Sequence, residues 1–110
     1  MKLPPSVEKV LKTVLGPDGA SEPGLRNDLF RAASHAADKS GEPAAPPPEL
    51  EPFVEKLIHT PYKLLDRDID SLRSQGLSED QIFELTLAAA LGTGVGRLAL
   101  TRRLIEESQS

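Results

Sequence analysis

The chain has 110 residues, enough for one domain with a core of its own but not for two. Its net charge of −4 argues against nucleic-acid binding, which needs a clustered basic face. Cysteine is absent, which excludes disulfides, thiolate nucleophiles, zinc–thiolate sites and thiol redox chemistry in this chain. The charge is unevenly spread. Residues 1–48 hold six basic and six acidic side chains, whereas residues 49–110 hold seven basic against eleven acidic.

The opening stretch MKLPPSVEKVLKTVLG places Lys9 and Lys12 inside its apolar pattern and Lys2 at the second position. It reads neither as a secretory signal nor as a myristoylation site, and a cytoplasmic location is the expectation. Val7, Val10, Leu11, Val14 and Leu15 recur at helical spacing after Pro4-Pro5, and Gly16-Pro17 ends that short amphipathic helix. A second helix is expected to start at Ser21, before Glu22-Pro23. Leu25, Leu29, Ala32, Ala33, Ala36 and Ala37 form its stripe as far as Ser40-Gly41.

Residues 40–48, SGEPAAPPP, have four prolines in nine positions and read as an extended linker between two helical parts; a Pro-rich ligand for a partner domain is the alternative. Leu50, Phe53, Val54, Leu57 and Ile58 then mark an amphipathic helix that reaches His59 and is interrupted at Thr60-Pro61. From Asp66 a further helix runs to Gln75, where Gly76-Leu77 has the form of a Schellman stop. Ser78-Glu79-Asp80-Gln81 has the form of a capping box and opens a long final helix.

That helix contains IFELTLAAALGTGVGRLAL, residues 82–100, with Glu84 and Arg97 as its only charges. Its apolar residues fall on every face, so it has to be wrapped. The uncharged part, Leu85 to Gly96, is too short for the ~20 residues of a membrane span. Other helices must therefore surround it, and a chain of this size supplies few. Part of the wrapping is expected from another subunit.

The expected fold is all α: a compact bundle with a long, buried C-terminal helix, homo-oligomeric. It is organised as one domain over 1–110, with N-terminal helices in 1–39, a linker in 40–48 and a helical core in 49–107. No segment shows strand alternation.

Chemistry is weakly marked. The turn at Gly76-Leu77-Ser78 could belong to a DNA-binding helix-turn-helix, but Glu79, Asp80 and Glu84 would then face phosphates, so a plain helical hairpin fits better. Gly92-Thr93-Gly94-Val95-Gly96 lacks the preceding strand of a phosphate-binding loop, and close helix packing or a bend is the better reading. Glu84 among apolar neighbours is either exposed or ion-paired, or it is a carboxylate in a ligand pocket; Arg97 lies near 20 Å away along a straight helix. His35 lies one position off its helix stripe and reads as a surface or boundary residue. His59, beside Thr60, Tyr62 and Lys63 and just before Asp66, Arg67 and Asp68, suits a helix C-terminus and is also the best general acid–base candidate. No second histidine stands at metal-ligand spacing, so neither a metal nor a cofactor is expected.

From residue 49 to about 105, the order of PELEPFVEKLIHT, LRSQGLSEDQIFEL and TLAAALGTGVGRL resembles the carboxymuconolactone decarboxylase and alkylhydroperoxidase D-like superfamily. The resemblance implies a helical homo-oligomer. The C-x-x-C-x-x-x-H pattern of that superfamily's redox branch would fall near Pro61, Leu64 and Asp68, and all three residues are missing. The resemblance therefore implies a member without thiol peroxidase or disulfide reductase activity, with a non-catalytic role left open and with His59 and Asp68 in the matching neighbourhood.

One competing expectation is a cofactor-free lyase or hydrolase of a small organic acid, with His59 and Asp68 at the chemistry and Arg67 or Arg97 holding a carboxylate. Glu84, Arg97 and Tyr62 are the candidate ligand-binding residues. The other is an adaptor that docks a protein through the Pro-rich segment or the first helix. Expected partners are a second copy and a small-molecule ligand, with no nucleic acid and no membrane.

Overall fold

A computed structural model describes residues 3–39 and 45–109. Among them the chain forms helices only: α1 (Pro5–Leu15), α2 (Pro23–Asp38), α3 (Glu51–His59), α4 (Asp66–Ser74) and α5 (Glu79–Ser108), with one 3-10 turn at Pro61–Lys63. The linker expected at 40–48 lies partly outside the described residues.

Local chemistry accounts for most boundaries. Pro5 and Pro23 occupy first-turn positions, where the missing N–H costs nothing. The Thr60-Pro61 break is the 3-10 turn. Gly76, at φ +95°, closes α4 with the bonds of a Schellman motif, Leu77 N–H donating to the Leu72 carbonyl and Gly76 N–H to that of Arg73. At the head of α5, Gln81 N–H donates to Ser78 Oγ at 3.1 Å and Ser78 N–H donates to Gln81 Oε1 at 2.7 Å.

Ser21 departs from expectation. The residue before α2 is Glu22, and the Ser21 side chain is turned away to bind Glu84.

The core lies where α2, α3 and α4 meet the first half of α5, with Leu29, Phe53, Val54, Leu72, Ile82 and Leu85 buried together. Each such aliphatic or aromatic side chain contributes roughly 1.5–3 kcal/mol through loss of contact with water. Further along, α2 and α5 pack so closely that only small residues fit. Gly92 lies under the Phe30 carbonyl and Ala33, and Gly96 lies under the Ser34 carbonyl and Ala37. A β-carbon at either position would collide with backbone. Arg103 anchors the far end through an ion pair with the buried Asp38.

The expectation of a buried final helix needs correction. Ile82, Leu85, Ala88, Ala89, Gly92 and Gly96 are buried, but Phe83, Leu87, Leu98, Leu104 and Ile105 are exposed. Four short helices cover one side of a rod of 30 residues, about 45 Å long, and the molecule is correspondingly elongated at 52 × 29 × 22 Å. By length and composition alone α5 could cross a membrane, with 33% of its most apolar window buried inside the fold.

Candidate functional site

The surfaces of α2, α3 and α5 that do not touch leave a groove between them. The last turn of α3 brings His59 to one wall, and α5 brings Thr93 and Arg97 to the other. His59, Arg97, Thr93 and Ile58 line a hollow of about 340 Å3 whose floor includes Ala33 and Ala37. A second hollow of about 270 Å3 shares Ile58, Thr93 and Arg97 and extends along Leu57, Pro61 and Ala89. A third, of about 210 Å3, continues past His59 to His35.

The alanines of α2 explain why space exists here: they allow α5 to approach closely yet fill little volume beside it. Arg97 stands at the junction of the first two hollows. It forms no ion pair or hydrogen bond among the described residues, unlike Arg26, Arg31, Arg73, Arg102 and Arg103, each of which faces a carboxylate. A guanidinium beside a hollow of mixed lining, with a threonine hydroxyl one turn away on the same helix, offers bidentate donors to a carboxylate. His59 is 3.9 Å from Glu55 and brings an imidazole, able to donate or accept a hydrogen bond, to this hollow.

The other expected site residues go elsewhere. Tyr62 is 80% exposed on the 3-10 turn. Arg67 is on the exposed first turn of α4. Asp68 accepts the Leu65 N–H at 2.8 Å and faces Lys56 Nζ at 3.0 Å, so it caps α4 and joins it to α3. These bonds, the Leu65 N–H first, hold its carboxyl below the usual carboxylate range.

Glu84 belongs to a separate network. It accepts hydrogen bonds from Ser21 Oγ at 2.6 Å, Ala20 N–H at 2.8 Å and Ser21 N–H at 2.9 Å. The Ser21 hydroxyl and these two N–H groups pull its pKa down to about 2, against the opposing effect of burial. Gln81 Nε2 adds a bond to the Ala20 carbonyl at 3.0 Å. Glu84 thus ties the loop between α1 and α2 to α5.

Arg26 was not singled out from the sequence, yet it is almost wholly buried and organises the same loop. It donates to the Val14 and Ser21 carbonyls, while Asn27 Nδ2 donates to the Leu15 carbonyl, so α2 satisfies the C-terminal carbonyls of α1. Its Nε, 3.9 Å from Glu84 Oε1, has no hydrogen-bond partner among the described residues. The signal was present: Arg26 stands three and seven positions before Leu29 and Ala33, on the stripe that faces α5.

Among the described residues no three histidine, aspartate or glutamate side chains converge as a metal site. Compared with family models, curated proteins and solved structures, the chain has no match.

Proposed function

We propose that this chain is a small helical, homo-oligomeric protein that binds a small organic acid in the groove between α2, α3 and α5. The observation that carries the reading is Arg97, a cation without a counter-charge among the described residues, at the junction of two hollows of about 270 and 340 Å3. The lining mixes aliphatic side chains with Thr93, His59 and Arg97, which suits a compact carboxylate with a small apolar body. The resemblance to the carboxymuconolactone decarboxylase-like superfamily is part of this proposal and rests on the helix, Gly-Leu-Ser turn and small-residue helix between residue 49 and about 105. Thiol chemistry is no part of it, because the chain carries no thiol. A cytoplasmic location is part of the same proposal, and α5, which carries Glu84 and Arg97 and is latched to a polar loop, is a poor arrangement for a membrane span.

The test is an NMR titration of the protein with benzoate and succinate. Saturable shifts confined to residues near Thr93, Arg97 and His59, and lost in Arg97→Ala, are the expected result. Shifts that do not saturate, or that persist in the variant, remove the groove as a carboxylate site.

A catalytic reading has one observation in its favour, which is that His59 shares the hollow with Arg97. If the protein turns over the acid it binds, His59→Ala keeps binding and loses turnover. A His59→Ala protein with unchanged turnover excludes the histidine from the chemistry.

A further inference from the structure

Of the three glycines in the middle of α5, two are explained by α2 and one is not. Gly94 is exposed, and no atom of the described residues lies within 4 Å of the place where its β-carbon would stand. An alanine there would favour the helix by about 1 kcal/mol, so within one subunit the glycine is only a cost.

Gly94 is also the centre of an apolar pattern. Phe83 and Ile105 each lie eleven residues from it, Leu87 and Thr101 seven, and Ala90 and Leu98 four. All six are exposed. At 100° per residue they fall within about 40° of a single line along the helix. Their 4-3-4 spacing repeats every eleven residues, a period that keeps a seam nearly straight on an α-helix.

A pattern that reads the same from both ends fits a second copy running in the opposite direction. A two-fold axis maps a surface onto itself, as an isologous contact requires. Antiparallel alignment sets Phe83 against Ile105 of the partner subunit and Ala90 against Leu98 of the partner subunit. It brings Gly94 to the axis, where the two backbones come closest.

Charge favours the same direction. Residues 79–93 carry Glu79, Asp80 and Glu84, a net −3, whereas residues 94–108 carry three arginines and two glutamates, a net +1. Parallel pairing would set the acidic halves against each other.

The seam is about 33 Å long, and beside its C-terminal half lies a further hollow of about 560 Å3 lined by Leu3, Pro4, Leu98 and Ile105.

We propose that two copies of this chain pair through the outer face of α5, antiparallel, about a two-fold axis at Gly94. This rests on the homo-oligomeric part of the reading above and specifies its surface and geometry.

The lack of native cysteine makes the test direct. Ala90→Cys and Leu98→Cys variants are made separately, and their masses are checked by native mass spectrometry. They are then oxidised alone and as an equal mixture. The expected result is a dimeric mass and a disulfide dimer that forms in the mixture and far less in either variant alone. Efficient self-linking of each variant means a parallel pair, which overturns the geometry but leaves oligomerisation standing. A dimeric mass with no linking places the interface elsewhere and also overturns it. A monomeric mass for the unmodified protein at tens of micromolar overturns both.

Gly94→Leu provides an independent arm, since it meets nothing within a subunit. Its helix content should be unchanged and its dimer roughly 10- to 100-fold weaker. Unchanged dimer affinity in Gly94→Leu removes Gly94 from the contact.

Discussion

The two sides of α5 share a composition and differ in what they touch. On the inner side Gly92 and Gly96 lie beneath carbonyls of α2, with Leu85 and Ala89 sealed in the core. On the outer side Gly94 lies in open space among exposed Phe83, Leu87 and Leu98. Alternating glycines two residues apart thus have opposite surroundings, because a two-residue step turns the helix by about 200°. A substitution that damages one side should leave the other nearly untouched within a subunit.

The largest contrast is expected between two leucines. Leu85→Ala removes a side chain with no exposure and should cost about 2–5 kcal/mol in urea unfolding. Leu87→Ala, measured in dilute solution, should cost less than about 0.5 kcal/mol. Equal costs would break the division into inner and outer faces.

The glycines sharpen it by sign. Gly96→Ala should destabilise by about 1–3 kcal/mol, since a β-carbon there meets the Ser34 carbonyl. Gly94→Ala should stabilise the single subunit by about 1 kcal/mol, visible as a higher Tm at low concentration. Destabilisation by both would show that the outer glycine is needed within one subunit.

Glu84 adds a comparison in pH. Its pKa falls from 4.5 in the unfolded chain to about 2 in the folded one, so the stabilisation is complete above about pH 4.5 and is lost as the pH falls towards 2. Glu84→Gln should cost about 1–3 kcal/mol at pH 7. It should also flatten the acid limb of stability in that window, as read by urea midpoints from pH 6 to pH 2.5. An unchanged acid limb would mean that the latch to Ala20 and Ser21 contributes nothing.

The smallest effect is expected at Arg97. Arg97→Ala should change stability by less than about 0.5 kcal/mol, because the guanidinium has no partner among the described residues to lose. A large loss would make it structural rather than a ligand group.

Local signals carried the sequence reading furthest. The Schellman stop at Gly76-Leu77, the box of Ser78 and Gln81 and the break at Thr60-Pro61 are complete within a few residues, and each stands where it was expected. The groove was legible only in pieces. His59 and Arg97 were both candidates, but no spacing between residues 38 apart says that they share a hollow. Glu84 and Arg97 were candidates for one site, and the fold sends them to different ones. The latch between Glu84 and Ser21 was missed because Ser21 reads equally well as a helix cap, and its real partner is 63 positions away.

The sequence by itself determined the absence of thiol chemistry, the order of helices and their stops, and the excess of apolar surface on the last helix. Those properties depend on composition and on bonds that close within one turn. Only the tertiary structure decided which side of α5 faces α2, which of its glycines is crowded and which carboxylate finds its donors. Such choices depend on how distant segments pack, and packing is settled by volume and contact that no local pattern contains.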